Sequence, residues 1–235
     1  ESADFLDPLM SVFKISSSDI TNRPFIDYLC SFNKPIILST GASNVDEIDD
    51  ALSWIDGHAV PVALLHCILN YPTEDKDANL RMIVGLKNRY PNRTVGYSDH
   101  TLPSDMKTME LAYVLGAKIL EKHFTYDKTL AGNDHYHAMD KFDLETYRDN
   151  MNRVVSLLGE QEKRYLQSEE PARRHARRSL VATHLIKKGA VITQKDVTWK
   201  RPAHGISPAH IGEVIGLTAI QDIEGDEIMQ WRMLR

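Results

Sequence analysis

Five short apolar segments recur along the first two thirds of the chain, and stretches with helical spacing of apolar residues separate them. Their short length and their β-branched, apolar composition predict strands that are buried on both faces. The segments cover residues 12–15, 35–39, 62–66, 94–97 and 117–123. A strand followed by a helix, repeated five times, predicts βα units and a parallel sheet.

Helix predictions rest on capping residues and on apolar spacing. Asn44, with Glu47 three residues later, forms a capping-box pattern that predicts a helix from Asn44 to Trp54. Pro24 suits the first turn of an earlier helix. Apolar spacing predicts three further helices, over residues 79–88, 104–115 and 144–158.

The pattern changes at residue 159. Residues 159–178 are rich in Gln, Glu and Arg, and such a charged run predicts a solvated linker. Residues 179–235 have short predicted strands and frequent turns, which indicates a small separate module. We therefore predict a first domain over residues 1–158, a linker over 159–178 and a second domain over 179–235.

Five βα units are too few to close a (β/α)₈ barrel, which needs eight units and about 250 residues. An open, doubly wound sheet could use five strands. The hydrophobic pattern by itself leaves both architectures open.

Composition narrows the class of protein without identifying it. The chain has 235 residues and a net charge of −5, an ordinary soluble composition that argues against broad nucleic-acid binding. No apolar run reaches the roughly 18 residues of a membrane span, and residues 1–20 lack the pattern of a signal peptide. Cys30 and Cys67 fit a reducing compartment. We expect a cytoplasmic protein.

Polar residues cluster where each predicted strand ends, and in parallel α/β folds the carboxyl ends of the strands host the active site. These residues are Lys14, Ser16–Ser18, Ser39–Gly41, His66, Cys67, Asn70–Thr73, Ser98–Thr101, Glu121, His123 and Thr125. Five consecutive strands that end in this way predict a functional site at that edge of the sheet.

Histidines and one aspartate are candidate metal and sugar ligands. His100 and His123 follow neighbouring strands, where two imidazoles can share one divalent metal or form a hydrogen-bonded core pair. His135 and His137, two residues apart, are either a rival metal pair or polar surface. Asp134 follows a Gly-Asn turn, and its carboxylate could hold sugar hydroxyls or only form the turn.

Lys14 lies inside an apolar strand, so we expect it to be buried beside a partner or an anionic ligand. A lysine with several hydroxyl donors can form a cradle for phosphate and carboxylate groups. The hydroxyl donors are Ser17, Ser39 and Ser98. An ion pair of Lys14 with Asp19 or Asp99 explains the lysine equally well.

Taken together, these stretches resemble the sialic acid synthase (N-acetylneuraminate synthase) family. They occur in the family's order and extend over the whole chain. The matching stretches are Lys14–Asp19, Lys34–Gly41, Leu65–Cys67, Asn70–Thr73, Gly96–Thr101, Glu121–Thr125, Gly132–Met139, Lys200–Pro202 and Gly205–Pro208.

The resemblance implies a TIM-type (β/α)₈ barrel, of which about the last five βα units are present, and a small C-terminal SAF (antifreeze-like, β-clip-like) domain. The family's first three units, with their catalytic glutamate, are absent. It also implies a domain-swapped homodimer in which the SAF domain caps the partner's active site. Leu69, where some members carry a polar residue, and Ala203, where Gly is usual, depart from the family pattern.

The same resemblance assigns the site residues. It implies that His100 and His123 are the catalytic ligands of a divalent ion, Mn²⁺ by preference, with Mg²⁺ and Co²⁺ as alternatives. The residues implied to bind phosphoenolpyruvate are Lys14, Ser17, Ser39 and Ser98. The residues implied to bind the sugar are Asp19, Tyr71, Asp134 and Arg201, the last from the SAF domain of the other protomer.

The activity that the resemblance implies is condensation of phosphoenolpyruvate with an N-acylated hexosamine, such as N-acetylmannosamine, to a sialic acid-type nonulosonic acid and phosphate. Two alternatives belong to other classes. One is a metal-dependent class II aldolase, which needs no phosphoenolpyruvate. The other is a non-catalytic fragment that binds a sugar or a protein partner.

Overall fold

A computed structural model describes residues 1–235 and divides them into two compact units, Glu1–Gly159 and Glu160–Arg235. The first unit contains a five-stranded parallel sheet whose strands follow one another in chain order. The strands are β1 (Phe13–Ile15), β2 (Ile36–Ser39), β3 (Val62–Cys67), β4 (Thr94–Asp99) and β5 (Leu120–Lys122). All five predicted strands are confirmed. They form a parallel half-barrel, and a closed eight-stranded barrel is not shown.

Six helices accompany these strands. They are α1 (Ser2–Leu6), α2 (Arg23–Cys30), α3 (Val45–Gly57), α4 (Arg81–Arg89), α5 (Lys107–Val114) and α6 (Lys141–Leu158). The predicted capping box of α3 is present, because Asn44 accepts from the Glu47 amide while the Glu47 side chain accepts from the Asn44 amide. Helix α5 begins three residues later than predicted, because Ser104 and Met106 adopt positive φ angles of 39° and 59°.

The two faces of the sheet carry different chemistry because side chains alternate along each strand. The helix-facing side of β1, β2 and β3 is apolar and forms a core with α2 and α3. Its strand residues are Phe13, Ile15, Ile36, Leu38, Val62 and Leu64. The alternate residues of the strands face the opposite, concave side of the sheet. They include Lys14, Ser39, Cys67, Ser98 and Glu121.

One buried ion pair joins the last two strands on the helix-facing side. Asp99 and Lys122 are register partners in β4 and β5, and their charged atoms lie 2.7 Å apart. Their side chains are only 2% and 1% exposed. The Asp99 carboxylate also accepts hydrogen bonds from the Tyr97 hydroxyl and from the Thr101 amide and hydroxyl. Both carboxylate oxygens of Asp99 are therefore hydrogen-bonded, as a stable buried ion pair requires.

The second unit is small and mostly irregular. Helix α7 (Glu170–Ala176) lies within the segment predicted as a linker, and Pro171 occupies its first turn. Strands β6 (Ser179–Ala182) and β7 (Val197–Lys200) pair antiparallel, and a one-turn helix, α8 (Ile211–Val214), follows. Buried side chains such as Leu180, Ile192, Val214 and Met229 form its own core.

No helix in either unit has both the length and the apolar character needed to cross a membrane.

We expect Asp99→Asn to destabilise the first unit by about 3–5 kcal/mol, because it leaves the Lys122 charge buried without a counter-charge. Urea unfolding followed by circular dichroism measures this loss. Asp105→Asn is the matched control, since Asp105 pairs with Lys107 on the surface, and its midpoint should stay at the wild-type value. Equal midpoints for both variants would contradict the role assigned to the buried pair.

Candidate active site

Lys14 and Glu121 meet on the concave face of the half-barrel. The Lys14 ammonium lies 3.3 Å from Glu121 Oε1, and the Ser98 hydroxyl donates to the same oxygen at 2.6 Å. The expectation of a buried Lys14 is wrong, since 32% of its side chain is exposed, and neither Asp19 nor Asp99 is its partner. The reason is the phase of the strands: Asp99 faces the helices, whereas Lys14 and Glu121 face the concave side.

Cys67 lies beside these polar groups. Burial raises the pKa of the Cys67 thiol, against hydrogen bonds from Ser17 and Ser98 that lower it. The Ser17 hydroxyl accepts from the Gly41 amide at 2.9 Å. A Cβ on Gly41 would approach Ser17 Oγ to 2.9 Å and Cys67 Sγ to 3.1 Å, so the backbone of the β2–α3 loop packs directly against the cluster. The cluster therefore gathers side chains from four strands or their ends.

Ser39, at the end of β2, contributes a hydroxyl without a partner. Its side chain is buried, and its oxygen makes no hydrogen bond within the protein. Buried polar atoms in native proteins are nearly always paired, so each exception requires an explanation. A ligand oxygen on the concave face would satisfy this hydroxyl.

An aromatic cluster lies at the ends of β4 and β5. The ring centres of His100 and His123 are 5.3 Å apart, and the Tyr71 ring lies 4.2 Å from His100 and 5.6 Å from His123. His100 Nδ1 lies 2.7 Å from the Ile68 carbonyl oxygen, which can only accept, so the proton is on Nδ1 and the lone pair on Nε2. Histidines that bind metals are oriented in this way by backbone carbonyls.

A carboxylate and a third imidazole extend this cluster. Asp134 Oδ1 lies 4.0 Å from His123 Nδ1 and 3.5 Å from His137 Nε2. The possible ligand atoms of these three residues lie within 4.8 Å of one another. This donor set, two imidazole nitrogens and one carboxylate oxygen, suits a divalent transition metal.

Burial favours the neutral form of two of these imidazoles, His100 and His137. It is the main cause that lowers the pKa of His100, and the hydrogen bond to Ile68 opposes it. Burial and then the neighbouring His123 lower the pKa of His137. Burial also raises the pKa of the Tyr71 hydroxyl, which therefore keeps its proton. Neutral imidazole is the form of histidine that binds a metal.

The structure brings most of the predicted site residues together in two groups. Lys14, Ser17 and Ser98 surround Cys67 and Glu121, and Tyr71 packs on the histidines near Asp134. Asp19 accepts from the Asn22 amide and makes no hydrogen bond or ion pair with the other predicted residues. Arg201 lies in the second unit, next to β7, and its role stays a prediction.

Glu121 was not among the predicted ligands, and His137 was named only as half of the rival metal pair with His135. The position of Glu121 at the end of a predicted strand indicated a site residue, and a lysine on another strand was the natural partner for its carboxylate. For His137 the only signal was the pair of closely spaced histidines. The two histidines do not act as a pair in the structure. His137 lies near His123 and Asp134, whereas His135 Nδ1 lies 2.7 Å from the Thr125 hydroxyl.

The sequence matches known families over both units. A model of the NeuB family matches residues 1–163, and a SAF domain model matches residues 177–235. The chain is 36% identical to N,N'-diacetyllegionaminic acid synthase of Campylobacter jejuni, over 98% of this chain and 69% of that protein. It is 38% identical to an uncharacterized protein of Methanocaldococcus jannaschii, over 93% of this chain and 64% of that protein. The chain thus spans about two thirds of the length of these relatives.

Solved structures show the same fold. The sialic acid synthetase of Leptospira borgpetersenii, in complex with citrate, aligns with a TM-score of 0.63 and 33% identity, over 69% of this chain and 56% of that one. A spore coat polysaccharide biosynthesis protein E of Chromobacterium violaceum aligns over the whole chain and 70% of its own, with a TM-score of 0.83. At 23% identity, this second likeness supports the fold alone.

The five-stranded parallel half-barrel and the matching SAF domain define an α/β protein of the sialic acid synthase type. The chain belongs to the NeuB family. The predicted family membership is thereby confirmed.

The orphan hydroxyl of Ser39 generates a prediction. We expect Ser39→Ala to leave the free energy of unfolding within about 0.5 kcal/mol of wild type, because no hydrogen bond is lost, and to weaken binding of phosphoenolpyruvate, the ligand predicted for Ser39. Ser179→Ala is the contrasting control. Its buried hydroxyl donates to the Pro202 carbonyl and accepts from the Gly205 amide, so its loss should cost about 1–3 kcal/mol. Urea unfolding and calorimetric titration measure the two effects; unchanged binding in Ser39→Ala would contradict the ligand role.

Proposed function

We propose that this protein condenses phosphoenolpyruvate with an N-acylated hexosamine to give a nonulosonic acid and phosphate. The observation that supports it best is the concave face of the half-barrel, where a lysine and serine hydroxyls lie beside a cluster of imidazoles. Membership of the NeuB family and the names of two relatives, a legionaminic acid synthase and a sialic acid synthetase, agree with this chemistry.

Lys14 and the serines would bind phosphoenolpyruvate. The Lys14 ammonium is partly exposed and is held only by a 3.3 Å contact with Glu121, so an incoming phosphate or carboxylate can compete for it. The Ser39 hydroxyl has no other partner, and the Ser17 hydroxyl, which accepts from the Gly41 amide, would turn its proton from the Cys67 thiol to the ligand. These donors would fix the position of the phosphoenolpyruvate carbon that reacts.

In the proposed reaction, carbon 3 of phosphoenolpyruvate forms a bond to the aldehyde carbon of the open-chain sugar. Water adds at carbon 2, and phosphate leaves as its bond to that carbon breaks, which yields a 2-keto-3-deoxy acid. A divalent ion, Mn²⁺ by preference, held by His100 and His123 would supply Lewis-acid polarisation of the aldehyde oxygen. Tyr71 and Asp134, beside the imidazoles, would hold the sugar hydroxyls.

The family resemblance carries the proposal beyond the first unit. It assigns Asp19 and, from the SAF domain of a second protomer, Arg201 to the sugar. It also assigns a domain-swapped homodimer, and the composition of the chain adds the expectation of a cytoplasmic location.

The proposal is tested by phosphate release from phosphoenolpyruvate, N-acetylmannosamine and Mn²⁺ by the purified chain. We expect release that requires both substrates, that EDTA abolishes, and that His123→Ala lacks. Cleavage of a sugar acid without phosphoenolpyruvate would instead identify a class II aldolase. Absence of both turnover and phosphoenolpyruvate binding would refute the proposal.

Lys14 provides a test that needs no turnover. Lys14→Met should weaken phosphoenolpyruvate binding at least about tenfold, because a hydrogen bond to a charged group contributes about 1.5–3 kcal/mol. Calorimetric titration gives the affinity. Lys107→Met removes a surface lysine that pairs with Asp105, and it should bind as the wild type does. Equal losses in the two variants would mean that net charge alone, and not a cradle at Lys14, attracts the anion.

A further inference from the structure

His137 occupies an unusual position for a histidine. Its side chain is 1% exposed, and neither ring nitrogen has a hydrogen-bond partner within the protein. Burying an imidazole in this way costs free energy unless something pairs with it. The rings of Tyr71, Tyr136 and His123 contact it in tilted or edge-on arrangements, which hold its orientation without satisfying its nitrogens.

Three other histidines of the first unit, His66, His100 and His135, differ from His137 in this respect. His66 Nε2 bonds the Ala78 carbonyl, and His100 Nδ1 bonds the Ile68 carbonyl. His135, two residues away, bonds the Thr125 hydroxyl. Each of these rings has one nitrogen satisfied by the protein. His137 has none, so both of its nitrogens are available.

The atoms nearest to His137 Nε2 are themselves metal-binding types. Asp134 Oδ1 lies 3.5 Å away, and that oxygen also faces His123 Nδ1 at 4.0 Å. Nitrogen and oxygen ligands lie about 2.0–2.2 Å from a bound transition metal, so two ligands of one ion are at most about 4.4 Å apart. The observed spacing, within 4.8 Å for all three residues, needs only a small inward shift.

We propose that His137, with Asp134, joins His123 as a ligand of the divalent ion, so that the site has a third imidazole in addition to His100 and His123. The inference rests on the proposed function only in placing an ion beside His123. A six-coordinate ion such as Mn²⁺ would still keep positions open for substrate oxygens. Asp134 then acts as a metal ligand, and contact with sugar hydroxyls is secondary for it.

The test compares Mn²⁺ affinity of the 235-residue chain with that of His137→Phe, which keeps the aromatic packing and removes both nitrogens. We expect the affinity, measured by calorimetric titration, to fall at least about tenfold, the smallest loss typical of perturbed metal sites. His135→Phe is the matched control and should bind Mn²⁺ within about twofold of wild type. In Co²⁺-loaded protein, the visible absorption bands should change in His137→Phe and not in His135→Phe.

Stability provides a second readout. In EDTA, His137→Phe should unfold at or above the wild-type temperature, because it removes two buried, unpaired nitrogens. Mn²⁺ should raise the unfolding temperature of wild type more than that of the variant, since binding to the folded state stabilises it in proportion to affinity. Should His137→Phe fail to fold, His137→Gln, which retains polar atoms but no imidazole, takes its place in both measurements.

The outcomes separate this inference from the proposed function. Wild-type affinity and an unchanged Co²⁺ spectrum in the variants would overturn it and leave a core imidazole satisfied by buried water. A wild-type chain that binds no Mn²⁺ or Co²⁺ would overturn it as well. Metal binding that depends on His137 without any phosphate release would support the inference while the proposed function fails, because no readout here uses phosphoenolpyruvate.

Discussion

The ion pair between Asp99 and Lys122 fixes the geometry of the site although neither residue faces it. The two residues are register partners, and each lies directly before a histidine in the sequence. Side chains alternate between the two faces of a sheet. Because Asp99 and Lys122 face the helices, the residues that follow them, His100 and His123, face the concave side. A slip of one residue would turn an imidazole into the core. The spacing of the imidazoles thus depends on an ion pair on the opposite face of the sheet, whose side chains are only 1–2% exposed.

Curvature is the second constraint, and it decides between the two architectures that five strands allow. Lys14 lies on β1 and Glu121 on β5, at opposite edges of the sheet, with three strands between them. At about 4.8 Å per strand, a flat sheet would separate these edges by about 19 Å, too far for the two side chains to meet. Their 3.3 Å contact therefore requires a strongly curled sheet, as in a segment of a barrel.

Local patterns predicted the strands, the capping box of α3 and the polar strand ends, since each depends on a few neighbouring residues. The partner of Lys14 was not predictable, because it depends on curvature that no local pattern encodes. The start of α5 was missed since Met106 adopts a left-handed conformation that its residue type does not suggest. His137 lies in a loop without periodicity, so its burial could be seen only in three dimensions.

The concave face combines two electrostatic environments that need different degrees of burial. Lys14 and Glu121 keep 32% and 38% of their side chains exposed, so their charges cost little and can exchange one partner for another. His100 and His137 are buried, and the resulting fall in the pKa of each ring preserves the neutral form. Uniform exposure would leave part of the imidazole population protonated near pH 6.5, and uniform burial would trap the lysine charge. The difference in burial thus lets one face bind an anion and offer neutral nitrogen ligands at the same pH.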